Sequence, residues 1–130
     1  MANDKMHRDI KAGNIFLNSE GEIFLGDYGV SESIKLSKSQ DIAGTPSWMA
    51  PEVCSQLGHD SKADIWSIGI TAIEMAEGVV PWFDLEPQQI LSKIINADKP
   101  PKLKPTQWSQ EFQNFVSSCL QKKPDLRPKC

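Results

Sequence analysis

The sequence predicts a mainly α domain with one short β-hairpin near its start, and three observations carry that expectation. Two apolar runs, Ile15 to Leu17 and Ile23 to Leu25, flank the turn-forming stretch Asn18-Ser19-Glu20-Gly21-Glu22. Between Ile65 and Ala76, apolar residues cover most of the circumference of a helical pattern. Phe112, Phe115, Val116, Cys119 and Leu120 then recur at i, i+3, i+4, i+7 and i+8, one face of an amphipathic helix.

In chain order, the two apolar runs read as strands of a hairpin, because the five residues between them are turn formers. From Ser31 to Gln40 the chain is polar and serine-rich without periodicity, which predicts a mobile surface loop. The first long helix is expected to have Ser61 as N-cap, Asp64 as an acid in its first turn and Gly78 as its stop. Ile65, Trp66, Ile68, Ile70, Ala72, Ile73, Met75 and Ala76 lie between, so this helix should be buried on nearly all sides at the domain centre. A second helix starts at Pro87, a residue suited to the first helical position, with Ile90, Leu91, Ile94 and Ile95 on one face. It should end before Pro100. A third starts near Ser109 and carries the amphipathic stripe.

A chain of 130 residues suffices for one domain with a core and is too short for two. Apolar content of 39% and charged content of 24% suit a soluble globular protein. Fourteen basic against seventeen acidic residues leave a net charge of −3, which argues against nucleic acid or an anionic membrane as partner. Lys99, Lys102 and Lys104 cluster among prolines and read as a solvated loop sooner than a partner contact. Cys54, Cys119 and Cys130 are odd in number and widely spaced, and neither His7 nor His59 has a cysteine neighbour. That spacing suits reduced structural thiols, not a metal centre. With no apolar leader and no run of membrane-spanning length, a cytoplasmic location is expected.

Three short motifs carry chemistry. His7-Arg8-Asp9-Ile10-Lys11-Ala12-Gly13-Asn14 places a carboxylate, an ammonium and an amide oxygen on one tight loop. Phosphoryl transfer uses such a set: a carboxylate for the incoming hydroxyl, a cation near the moving phosphoryl and oxygen ligands for Mg²⁺. Read alone, the loop is also a polar turn that satisfies its own backbone. Asp27-Tyr28-Gly29 follows the hairpin and puts an acid where the chain must change direction. By itself it is an ordinary turn, and eighteen residues after Asp9 it becomes a second metal ligand. Gly44-Thr45-Pro46-Ser47-Trp48-Met49-Ala50-Pro51-Glu52 is the third, its prolines stiffening an extended segment that presents Trp48 and Met49.

In this order the motifs resemble the catalytic loop, DFG and APE motifs of the protein kinase family. Asp64-Ile65-Trp66-Ser67-Ile68-Gly69 is similar to that family's central helix, and Leu126-Arg127-Pro128 to its late arginine motif. The resemblance implies a protein-kinase-like C-terminal lobe over residues 1–130. Lys11 and the Gly44-Thr45-Pro46 stretch follow the serine/threonine pattern, and the wording is similar to the Sterile-20 group, nearest its Hippo-type members. It implies ATP and Mg²⁺ as cofactors and protein Ser/Thr hydroxyls as substrate. Asp9 would be the catalytic base, Lys11 would steady the γ-phosphate, and Asn14 and Asp27 would hold Mg²⁺. Thr45 would tie the substrate loop to Asp9 and Lys11, Glu52 and Arg127 would form a buried ion pair, and Asp64 would accept backbone hydrogen bonds from the catalytic loop. His7 and Gly29 would be structural.

Departures from the pattern sharpen the expectations. Tyr28 stands in place of phenylalanine. Asp41 stands where relatives carry an activating phospho-threonine, so its carboxylate would imitate phosphate towards Arg8 in part, with about one charge instead of nearly two. Ser37 and Ser39 are candidate phosphorylation sites. No Gly-rich loop, strand lysine or partner glutamate precedes His7. The expectation is therefore a lobe with little turnover alone and an apolar face on the Ile65-to-Met75 helix open to water. A non-catalytic module that binds a kinase or scaffold through exposed helical faces is the alternative.

Overall fold

A computed structural model describes residues 6–26, 46–58, 60–104 and 107–129. Expectations for the Ser31–Gln40 loop and for Asp27, Tyr28, Gly29, Ser37, Ser39, Asp41, Gly44, Thr45, His59 and Cys130 lie outside the described residues.

The apolar runs form the hairpin: β1 (Ile15–Leu17) pairs antiparallel with β2 (Ile23–Leu25), and Ile15 stands opposite Leu25, Phe16 opposite Phe24 and Leu17 opposite Ile23. Asn18 builds the turn, its Oδ1 accepting the backbone N–H groups of Glu20 and Glu22 at 2.9 Å each. Gly21 supplies the left-handed step, at φ 84°. Phe16, Leu17, Ile23 and Phe24 are all exposed. The pair is held by its ladder and turn, with little burial behind it.

Among the described residues four α-helices follow: α1 (Pro51–Cys54), α2 (Lys62–Glu77), α3 (Pro87–Asn96) and α4 (Gln110–Cys119). The core forms around α2, where Trp66, Ile70 and Ile73 are fully buried against Ala50, Ile90, Ile94, Leu103, Val116 and Leu120. Helix α4 packs on α2, while α1 and the 3₁₀ turn Pro46–Trp48 pack on α3. Gly69 permits the α2–α4 approach: a Cβ there would come within 2.8 Å of Cys119 Cβ and of Leu120 Cγ. No helix among the described residues is long and apolar enough to cross a membrane.

Helix ends differ instructively from the sequence expectation. Ser61 precedes α2 but already has helical dihedrals, φ −58° and ψ −17°, and its hydroxyl makes no cap. A side chain caps from the extended region, so the task passes to Asp60, whose Oδ1 accepts Lys62 N–H at 2.8 Å. Gly78 does end the helix in the left-handed region at φ 79°. Gln89 turns back to accept Glu86 N–H at 3.1 Å at the start of α3, and Ser109 Oγ accepts Phe112 N–H at 3.2 Å at the start of α4. Burial of α2 runs through its first three turns. Ile65 and Ala72 are covered, Ile68 is half-buried and Met75 is exposed, so the apolar face expected to be open shrinks to the last turn. In the lysine cluster Leu103 is buried and Lys104 N–H donates to Glu77 Oε1 at 2.8 Å, so this segment is anchored while its ammonium groups stay exposed.

Arg127 closes the fold from the C-terminal side. Its Nη1 donates to Glu52 Oε1 at 2.6 Å and its Nη2 to Glu52 Oε2 at 3.0 Å, a bidentate fork between side chains that are 0% and 9% exposed. Nε donates to Gln121 O at 2.7 Å and Nη1 also to Lys62 O at 2.9 Å, while the guanidinium lies 5.2 Å from the Trp66 ring centroid. One side chain thereby joins α1, the start of α2, the exit from α4 and the core tryptophan. Arg127→Leu strands the Glu52 carboxylate and should cost about 3–5 kcal/mol in urea unfolding, whereas adding Glu52→Leu should recover part of that loss. A loss in the double variant equal to the sum of the Arg127→Leu and Glu52→Leu losses would show that the pair is uncoupled.

Cys54 lies beside this pair. Burial first, and then the Glu52 carboxylate, push its thiol from 9.0 up to about 12. The folded chain thus keeps a proton that the unfolded chain gives up above pH 9. The contribution to stability is whole below pH 9 and is lost as pH rises towards 12. At pH 8.5 iodoacetamide should leave Cys54 unmodified in the native chain and alkylate it in urea, as peptide mass spectrometry would read. Equal labelling in both states would contradict the burial.

Candidate functional site: the loop from His7 to Asn14

The site begins with two backbone amides and one carboxylate. His7 N–H donates to Asp64 Oδ2 at 2.7 Å and Arg8 N–H to Asp64 Oδ1 at 3.0 Å, so a single buried side chain in the first turn of α2 takes both. Arg8 needs that support, because its φ of 74° is rare for a residue with a Cβ. The cost of that backbone is offset by the charge-assisted bonds on either side of the His7–Arg8 peptide. The Arg8 side chain is exposed.

His7 is buried, and its ring bonds fix the tautomer. Nδ1 accepts Asp9 N–H at 3.2 Å, so the proton resides on Nε2, which donates to Gly26 O at 2.5 Å. The imidazole therefore couples the loop to the end of β2. Asn14 makes the second link there, its carbonyl accepting Gly26 N–H at 2.8 Å. Asn14 itself sits in a short 3₁₀ turn, Ala12–Asn14, and is buried.

Asp9, Lys11 and Asn14 come together. Asn14 Nδ2 donates to Asp9 O at 2.8 Å and to Asp9 Oδ2 at 3.0 Å, which fixes the carboxylate plane. Lys11 Nζ stands 4.0 Å from Asp9 Oδ1, and both side chains keep partial access to solvent, 30% for Lys11 and 21% for Asp9. Ile10 between them is buried, so the alternation of the loop presents its neighbours outward. With Asn14 Nδ2 committed to Asp9, the opposite atom of the amide, Oδ1, is left as an acceptor. The arrangement can take a proton from a hydroxyl at Asp9, place a positive charge beside it at Lys11 and offer one neutral oxygen to a cation.

Two residues bear on this loop in ways the sequence reading missed. Glu74, near the end of α2, accepts Ala12 N–H on Oε1 at 2.9 Å. Its signal was the one charged residue between Ile65 and Ala76, a carboxylate ten positions after Asp64. In the sequence Trp48 stands out only as apolar surface. Its ring centroid lies 5.9 Å from Lys11 Nζ, and Ser67 Oγ donates to its carbonyl at 2.7 Å, so α2 positions this contact too. Glu52 and Arg127 stand apart as the structural pair described above. Asp27, Gly29, Asp41 and Thr45 lie outside the described residues.

The chain is 52% identical over 128 residues to "Serine/threonine-protein kinase 4 homolog A" of Dictyostelium discoideum, covering 95% of this chain and 28% of that protein. It is 51% identical over 125 residues to "Serine/threonine-protein kinase cst-1" of Caenorhabditis elegans, with 95% and 25% covered. To "Serine/threonine-protein kinase dst1" of Dictyostelium discoideum it is 48% identical over 126 residues, with 95% and 17% covered. The chain thus spans about a quarter of the length of the first two relatives. The protein kinase domain profile matches residues 2–130. The chain belongs to the protein kinase domain family, and its likeness runs to serine/threonine kinases of the Hippo-type Sterile-20 group.

Proposed function

We propose that residues 1–130 carry the phosphoryl-transfer loop of a protein serine/threonine kinase, as one part of its kinase domain. The observation that carries this reading is the Asp9–Lys11–Asn14 cluster, held by hydrogen bonds to α2 and to the hairpin. In the reaction proposed, the Ser or Thr hydroxyl of a protein substrate hydrogen-bonds to Asp9. Its oxygen forms a bond to the γ-phosphorus of ATP as the bond to the β–γ bridging oxygen breaks, ADP departs and Asp9 takes the hydroxyl proton. Lys11 steadies the γ-phosphate, and Thr45 ties the substrate-binding segment to Asp9 and Lys11.

The donor chemistry at the loop fits Mg²⁺ as far as the described residues reach. They hold no group of three or more His, Cys, Asp or Glu able to bind a metal. Mg²⁺ keeps several waters and substrate phosphates, however, and takes only one or two protein oxygens. Asn14 Oδ1 suits that role, with Asp27 as its partner. Bound there, the ion would neutralise charge developing on the phosphates. The substrate class proposed is protein, with a cytoplasmic setting. The named relatives, all kinases, disfavour the non-catalytic module.

In the full-length protein, Asp9→Asn should lower kcat for peptide phosphorylation by about 10²–10⁴-fold at unchanged thermal stability. A rate within twofold of the parent would remove Asp9 from the reaction. Calorimetry should show ATP binding that requires Mg²⁺ and that weakens at least about tenfold in Asp27→Ala. Equal binding in that variant would exclude Asp27 as a ligand.

A further inference from the structure

Asp64 and Glu74 stand at opposite ends of α2, and both accept backbone N–H groups from one short stretch of loop. Ten residues of helix separate the two by about 15 Å along the axis. From the amide nitrogen of Arg8 to that of Ala12 the loop runs four residue steps and reaches at most about 14 Å when fully extended. Arg8 shortens it by its left-handed φ of 74°, so the reach of the carboxylate side chains closes the remainder. Lys11 is correspondingly drawn out, at φ −161° and ψ 163°. Asp9 and Lys11 lie between the two attachment points, and Ile10 is pressed into the core.

Resting on the proposed kinase reading, we infer that Glu74 is a positioning residue: its bond to Ala12 N–H keeps the Asp9–Lys11 segment taut along α2. Asp64 holds the upstream end of this segment and Glu74 the downstream end. Release of either end gives the link slack. At the Glu74 end the slack falls first on Lys11, which adjoins Ala12 and stands 4.0 Å from Asp9 Oδ1. Glu74 touches no reacting atom and acts through the backbone. The bond also needs a residue with an N–H at position 12. Ala12 opens a 3₁₀ turn and follows an extended residue, so proline fits that backbone while removing the donor.

The test is a double-mutant cycle in the full-length protein, read by peptide phosphorylation kinetics and by hydrogen exchange over residues 10–14. Glu74→Ala should lower kcat about tenfold or more, leave KM for ATP within about twofold and accelerate exchange at Ala12. Glu74→Gln, which keeps an acceptor oxygen, should restore most of both. In an Ala12→Pro background, where the N–H is already gone, Glu74→Ala should change kcat by less than about twofold. The same factor in both backgrounds would overturn the inference, as would an unchanged kcat with accelerated exchange. Should Glu74→Ala fail to fold, Glu74→Gln and Ala12→Pro decide: parent-like kcat for the glutamine variant supports the tether, and a loss equal to that in Ala12→Pro refutes it. A parent protein that transfers no phosphate would sink the kinase reading instead. Exchange alone then judges the tether, and unaltered exchange in Glu74→Ala refutes it.

Discussion

The loop at the site hangs from the Asp64 carboxylate. Its two oxygens take the N–H groups of consecutive residues, His7 and Arg8, and the second of these is in a conformation the chain would not choose alone. A buried carboxylate is costly to desolvate, and two amide donors aimed at it offset that cost while fixing a peptide plane. From this fixed plane the His7 ring reaches the end of β2, Asn14 locks Asp9, and Lys11 comes to lie beside Trp48. The geometry at Asp9 is thus inherited from the first turn of a helix more than fifty residues away in sequence.

Helix α2 can serve as such a reference because its first three turns are enclosed. Its apolar residues face α4, α3 and the Pro46–Trp48 turn, and Arg127 with Glu52 ties the C-terminal turn against its start. Rigid support of this kind is what a site needs when function depends on placement within about half an ångström. The hairpin differs in kind. It hangs from the loop by bonds to Gly26 and Asn14 and presents both faces outward.

The three longer helices and the presence of the hairpin were legible because periodicity and turn residues act locally. The repeat from Phe112 to Leu120 and the Asn18-to-Glu22 turn each contain the information for their own shape. Helix capping was less legible, since a serine before a helix looks the same whether or not its backbone is already helical, and Asp60 did the work expected of Ser61. Motif spacing pointed to the Asp9, Lys11 and Asn14 loop, yet neither Glu74 nor Trp48 could be assigned to it. Their contacts cross 62 and 37 positions of chain, and no local pattern encodes such pairs. A lone carboxylate inside an otherwise uncharged helical run is the available sign.

The missing side chain at Gly69 has an evolutionary corollary. The space a Cβ would claim is already filled by Cys119 and Leu120, so three positions, one on α2 and two at the end of α4, share one volume. Sequence drift at any one of them is conditional on the others. Growth at 69 is admissible only after shrinkage at 119 or 120, and the order of those changes is constrained. A lineage that took the first step without the second would separate α2 from α4 and loosen the frame from which the loop is suspended.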